Sequence, residues 1–245
     1  LTAPATPQAL AAAASDAGAA GVAFTYNDPV IFAEYAIDTA AACREAGLAS
    51  VAVSAGWISP EPCTELFGAV DAANIDLKGF TDDFYRRVTG ARLTDVLDTL
   101  TRVRALGTWL EITTLLIPGR NDSDAEIAAE CAWIAAELGA EVPVHFSAFH
   151  PAHRMRETPR TPASTLERAR AIARDAGLAH VYLGNVRTRD GASTRCAGCG
   201  TLLVDREGYR VTDYRITSEG ACPQCGRRVP GLWDPAGPPP AAGQW

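Results

Sequence analysis

The sequence predicts an α/β fold: an incomplete parallel β/α barrel with a small metal-binding ribbon behind it. Three observations carry this. Strand-length apolar runs alternate with helix-length segments along the chain, the pattern of successive βαβ units. Every strand carries one apolar face and one polar face, with the polar residues gathered toward the C-terminal end. Two C-x-x-C pairs then follow the last of them.

Thr6-Pro7 forms an N-cap with a first-turn proline, and the alanine-rich run to Ala17 favours helix until Gly18 and Gly21. Val22 to Tyr26 is a short strand leading into Asn27-Asp28-Pro29. A second helix runs from about Val30 to Glu45 and stops at Gly47, where a left-handed residue is usual. Val51 to Ser54 is the next strand, and a short helix follows Pro60. Asp71 to Leu77 is a buried strand whose far end turns polar at Lys78, the only lysine in the chain. A period of two puts Asn74, Asp76 and Lys78 on one face and Ile75 and Leu77 on the other. Helical segments fill Thr81 to Leu106 with a break at Gly90. Trp109 to Ile117 is a strand closed by Pro118 to Asp122, and Ser123 caps a helix running to Leu138-Gly139. Val142 to Phe149 is a strand ending in His150-Pro151. Thr161-Pro162 opens a helix to Ala176-Gly177, and His180 to Leu183 makes a last short strand.

Parallel βαβ units close into a barrel or spread as a doubly wound sheet. Strands of a doubly wound sheet are apolar on both faces, and a closed eight-stranded barrel fills its lumen with branched apolar side chains. Here Thr25 and Asn27, then Ser54, then Asn74, Asp76 and Lys78, then Glu111 and Thr113, then His145 and Ser147 place polar groups on consecutive strands. A polar lining favours a wider or incomplete barrel with a wet ligand site at the carboxyl ends of its strands.

Cys196-Ala-Gly-Cys199 and Cys222-Pro-Gln-Cys225 stand 22 residues apart, each followed by Gly, at Gly200 and Gly226. Two such knuckles, with short strands between them at Leu202 to Val204 and Tyr209 to Thr212, present four thiolates tetrahedrally to a metal. Four thiolates with no open position suit structural Zn²⁺, although a rubredoxin-like iron site uses the same ligands. A ribbon this small needs the metal to fold. The expected organisation is therefore a barrel over 1–190, a zinc ribbon over 191–233 and an unfolded proline-rich tail over 234–245.

A net charge of −7 argues against a general nucleic-acid or anionic-membrane surface. The arginines of the ribbon are offset by Asp205, Glu207, Asp213 and Glu219, and no aromatic stacking platform accompanies them. No apolar run is long enough for a membrane span and no signal peptide opens the sequence. Seven cysteines in 245 residues, four of them paired for a metal, point to a reducing cytoplasm.

The series AFTYNDP (Ala23 to Pro29), VAVSAGWISPEP (Val51 to Pro62), DAANIDLKGF (Asp71 to Phe80), YRRVTGARLTDVLDTL (Tyr85 to Leu100), LEITTLLIPGRND (Leu110 to Asp122), HFSAFHP (His145 to Pro151) and YLGNV (Tyr182 to Val186), with the ribbon behind it, resembles the radical SAM enzyme of the AmmeMemoRadiSam system. That family is related to the activating enzymes of pyruvate formate-lyase. The resemblance implies a partial (β/α)₆ barrel, a [4Fe-4S] cluster and S-adenosylmethionine cleaved reductively to a 5′-deoxyadenosyl radical. It implies Memo-like and other AmmeMemoRadiSam proteins as partners, and a small-molecule or protein substrate. It also implies cofactor contacts by Asn27 and Asp28, by Ser54, by Asp76 and Lys78, by Glu111 and Thr113, and by His145 and His150. Asp28 stands where the family usually has Glu, and Ser54-Ala55-Gly56 where it has Thr-Asn-Gly.

The family holds its cluster with three cysteines spaced C-x₃-C-x₂-C, and no such triplet exists here. Cys43, Cys63 and Cys131 are far apart, in or beside expected helices, where small buried residues are usual. The chain starts at Leu1, reading at once as a helix, so the first strand and the cluster loop are expected upstream and this piece alone is expected to be inactive. Two alternatives stand beside this reading: an activase that installs a glycyl radical on a partner protein, and a zinc-ribbon scaffold that has lost catalysis.

Overall fold

The computed structural model describes residues 5–188, 190–208 and 210–233. Six strands follow one another in the order β1-β2-β3-β4-β5-β6: Gly21–Phe24, Ala49–Ser54, Ala72–Asp76, Trp109–Leu116, Val144–Ala148 and Val181–Gly184. Strand order that never reverses has no switch point. When each right-handed crossover leads to the next strand, the helices gather on one face, as in a β/α barrel. This supports the barrel-type expectation over the doubly wound one. Among the described residues β1 and β6 are sheet edges, so the barrel type is incomplete.

The chain divides into two compact units, Leu1–Thr113 and Thr114–Trp245. In the first, β1, β2, β3 and β4 pair in parallel. Helix α1 (Pro7–Asp16) opens as expected, with Thr6 Oγ1 accepting from the Ala9 amide at 3.2 Å. Helix α2 (Ala33–Glu45) starts later than expected, because Pro29–Phe32 forms a 3-10 turn and Phe32 leaves helical geometry at φ −140°, ψ 40°. Helix α3 (Pro60–Ala69) is followed by β3 and by the short helix α4 (Asp82–Phe84). The latter runs into a π-helical turn, Tyr85–Thr89, closed by Gly90 at φ 78°. Helix α5 (Leu93–Leu106) ends at Gly107 in the same left-handed region. The core of this unit is Leu66, Phe67, Ile75, Leu77, Leu100 and Ile112, all fully buried.

Burial alternates strictly along β3 and β4, which confirms the two-faced reading of both strands. Register corrects that reading at one strand. Val53 pairs with Asn74, and Ser54 with Ile75. Ser54 thus lies on the packed face, opposite Asn74 and Asp76. A single residue's offset decides this, since successive side chains alternate faces.

In the second unit helix α6 (Asp124–Trp133), capped by Ser123 Oγ on the Glu126 amide at 3.3 Å, continues into a π-helical stretch, Ile134–Leu138. Strands β5 and β6 pair in parallel, with α7 (Ala163–Asp175) between them in sequence. The ribbon is an antiparallel sheet of β7 (Thr194–Arg195), β8 (Leu202–Glu207) and β9 (Arg210–Tyr214). It has its own small core of Leu203, Val204, Ile216 and Val229, with Tyr214 and Trp233 packed against it. The tail at 234–245 and Tyr209, expected to begin a ribbon strand, lie outside the described residues.

Candidate functional site

In the first unit the half-buried faces of β3 and β4 form a polar ladder. Asn74 pairs in register with Glu111, and Asp76 with Thr113. Thr113 donates from Oγ1 to Asn74 Oδ1 at 2.8 Å, and Trp109 Nε1 donates to Glu111 Oε1 at 3.0 Å. Just past the strand end, Lys78 Nζ donates to Asp76 Oδ2 at 2.5 Å. These two side chains remain 38% and 29% exposed, so the pair is open to exchange with a charged ligand. The backbone beneath is fixed: the Leu77 amide donates to the Thr113 carbonyl at 3.0 Å, and the Lys78 amide to the buried Tyr85 hydroxyl at 3.1 Å. Tyr85 and Trp109 were not among the expected site residues. Tyr85 lies on the π-helical turn, beyond any strand periodicity that points to it.

The turn after β1 is unusual. Tyr26 adopts φ 68°, a left-handed conformation that is uncommon for a bulky residue, and is fully exposed; Asn27 beside it is exposed as well. Asp28 is half-buried and ties this turn to the end of β2. Its Oδ1 accepts from the Ser54 hydroxyl at 2.8 Å and the Val30 amide at 3.2 Å, and its Oδ2 accepts from the Ala55 amide at 2.8 Å. Ser54 Oγ in turn accepts from the Gly56 amide at 3.0 Å. A carboxylate has about four acceptor positions, so Asp28 retains one for a ligand.

In the second unit His145, on the half-buried face of β5, is the in-register partner of Tyr182 on β6. Their rings stack with centroids 5.0 Å apart and planes 24° from parallel. The Tyr182 hydroxyl shares a 3.0 Å hydrogen bond with that of Thr194 in the ribbon. His150, beyond the end of β5, is exposed.

The four ribbon cysteines converge. All four Sγ atoms lie within 4.8 Å of one another, with Cys196 to Cys225 at 3.5 Å and Cys199 to Cys222 at 3.7 Å. A metal with sulfur ligands at about 2.3 Å in tetrahedral array sets its sulfurs about 3.8 Å apart, so this donor set fits a metal ion. The two knuckles repeat each other. The Gly200 amide donates to the Cys196 carbonyl and the Gly226 amide to the Cys222 carbonyl, both at 2.9 Å, and both glycines sit at φ 73°. Hydrogen bonds with Thr201, side chain first and then backbone, lower the Cys199 thiol to about 6, whereas Cys225 is raised to about 12, against the Arg227 backbone, by the Cys196 and Cys199 thiols crowded on it.

The remaining cysteines behave differently. Cys43, Cys63 and Cys131 are fully buried on α2, α3 and α6. Burial raises all three thiols, that of Cys131 to about 12. Protonated thiols dispersed over separate helices do not fit an iron-sulfur cluster.

The sequence matches the Radical SAM superfamily over residues 4–132, more than half of its length. The chain belongs to the radical SAM superfamily. An uncharacterized protein of Methanocaldococcus jannaschii is 37% identical over 225 residues, which is 91% of this chain and 67% of that protein. Solved structures share the superfamily fold. A domain of the pyruvate-formate lyase-activating enzyme of Bacteroides vulgatus superposes with a TM-score of 0.60 at 19% identity, over 67% of this chain and 99% of that one. A radical SAM methyltransferase of Sphaerobacter thermophilus gives 0.58 at 17% identity, over 82% and 63%. SuiB of Streptococcus suis bound to S-adenosylmethionine gives 0.62 at 11% identity, over 76% and 45%. The seven cysteines of this sequence include no C-x₃-C-x₂-C triplet.

Proposed function

We propose that this chain is the S-adenosylmethionine-binding core of a radical SAM enzyme, with a structural Zn²⁺ held by Cys196, Cys199, Cys222 and Cys225. The observation that supports it best is the polar ladder of β3 and β4, ending in the Asp76–Lys78 pair at the carboxyl end of the sheet. The methionine end of the cofactor is a zwitterion. Asp76 is suited to accept from its ammonium group and Lys78 to pair with its carboxylate, each a charge-assisted hydrogen bond. The internal pair must open to do so. Two side chains this exposed hold each other by no more than about 1 kcal/mol, so exchange is cheap.

Asp28 orders the β1 turn through Ser54 and Ala55 and keeps one acceptor position for the same ammonium group. Glu111 and Thr113 continue the polar face, and His145 and His150 remain candidates from the second unit for cofactor or substrate. The narrower reading, membership of the AmmeMemoRadiSam system with its partner proteins, rests on the sequence series alone. No cluster step is assigned to these residues, because the cysteines do not fit; the reading requires cluster thiolates from outside this sequence. A scaffold without catalysis is favoured by that same cysteine placement.

Metal content separates the two. This chain and the product of the whole open reading frame are purified without oxygen, reconstituted with iron and sulfide, and assayed for iron and zinc. About one zinc in both, and about four irons only in the longer product, is the expected result. Zinc in both and iron in neither overturns the enzyme reading in favour of the scaffold.

A further inference from the structure

Arg170 lies on α7 with only 6% of its surface exposed. Its Nη2 donates to the backbone carbonyl of Asp190 at 3.2 Å, but among the described residues Nε meets no acceptor. The carboxylate of Asp190 is engaged elsewhere, by Arg195 Nε at 3.1 Å. Among the described residues Arg170 forms no ion pair. A guanidinium cannot shed its proton to escape this environment, so a buried one whose nearby carboxylates, Glu167 and Asp190, make no direct ion pair with it is costly.

The surroundings carry both signs of charge: Arg174 and Arg195 oppose the Arg170 cation, and Glu167 and Asp190 favour it. Arg174, one helical turn on, repels Arg170 as a like charge at i and i+4. Arg170, Arg174, His180, Ser193 and Arg195 line a cavity of 20 Å³, room for one occupant of about the size of a water molecule. The Ser193 proton is committed to Asp205 Oδ1 at 2.6 Å. Burial, and then Arg174, both depress the affinity of Arg170 for its proton. A water molecule in the cavity satisfies Nε as an acceptor but brings no negative charge to a lining with three guanidinium groups, those of Arg170, Arg174 and Arg195; an anion supplies both.

We propose that this cavity binds one small inorganic anion of halide size, held by Arg170 Nε with Arg174 facing it. Such an anion turns a repelling pair of cations into a bridge. It also fastens the ribbon, through Ser193 and Arg195, to α7 and to the start of β6. Chloride is the physiological candidate, and the site is separate from the four thiolates and from the polar ladder.

The test uses the zinc-loaded chain. Thermal melting is followed from zero to 300 mM chloride at constant ionic strength, with gluconate, too bulky for the cavity, as the balancing anion. Chloride is expected to raise Tm by about 3 °C, the size given by a ligand at roughly ten times its Kd on a domain of this length. The rise is expected to vanish in Arg170→Met and to shrink in Arg174→Met, a surface change that leaves folding intact whatever Arg170→Met does. Crystals soaked in bromide are expected to show anomalous density within hydrogen-bond distance of Arg170 Nε. A chloride response equal in the wild type and Arg174→Met overturns the proposal, as does a cavity holding water alone. Bromide density without any chloride dependence of Tm marks an adventitious ion only, and overturns it too.

Discussion

Glu130 offers the sharpest test of how the second unit is packed. It lies on α6 with 1% exposure and accepts a hydrogen bond from the Thr114 hydroxyl. Burial drives its carboxyl from the usual 4.5 up to about 8, against the opposing effect of Thr114 and with a small addition from Glu126. Between those two values the unfolded chain releases a proton that the folded chain retains. The folded state therefore binds more protons, and stability falls as pH rises. The contribution is fully present below 4.5, is lost as pH climbs toward 8, and is flat above. Each unit is worth about 1.4 kcal/mol, so the loss at pH 7 approaches about 3 kcal/mol. Glu130→Gln keeps the shape and an acceptor for Thr114 but cannot ionise. Urea unfolding at pH 5, 6, 7 and 8 is expected to show the wild type losing roughly 1 kcal/mol per unit relative to the variant. Parallel profiles for the two proteins refute the argument and place the carboxylate in contact with water or a hidden cation.

Other outcomes follow from the two candidate sites. In the reconstituted full-length product, Lys78→Ala is expected to weaken S-adenosylmethionine binding about tenfold, the worth of one charge-assisted hydrogen bond, with zinc content unchanged. Unchanged cofactor affinity returns the Asp76–Lys78 pair to a strand-end cap. Cys199→Ser is expected to lower zinc from about one per chain toward zero and to abolish the near-ultraviolet signal of Trp233, which packs on a ribbon core that includes Cys196 and Cys222. Cys63→Ala serves as its control: a fully buried cysteine on α3 is expected to change stability and leave zinc untouched. Retained zinc in Cys199→Ser removes that residue from the ligand set.

Much of the molecule was legible in the residues themselves. Thr6 and Ser123 cap where their side chains allow it, glycines end α5 and the π-helical turn at Gly107 and Gly90, and the knuckles fold around Cys-x-x-Cys-Gly. All of these depend on neighbours a few positions away. The two faces of β3 and β4 were legible for the same reason, since alternation is a local rule. Sequence also told the clustered ribbon cysteines from the three dispersed over helices, because C-x-x-C spacing is local too.

What the sequence left open depends on which segments meet. Ser54 looked like a member of the polar face until its pairing with Ile75 put it on the packed one. Asp28 was expected to contact the cofactor; Ser54, Ala55 and Val30 occupy three of its acceptor positions and leave one. Nothing local in the sequence marks Glu130 or Arg170 for burial; packing buries both. Sequence determined the elements, their caps and the four cysteines that cluster in the ribbon through contacts of short range. Tertiary structure decided strand register and the burial of charge, because a side chain's dielectric surroundings and hydrogen-bond partners come from segments that only the folded chain brings together.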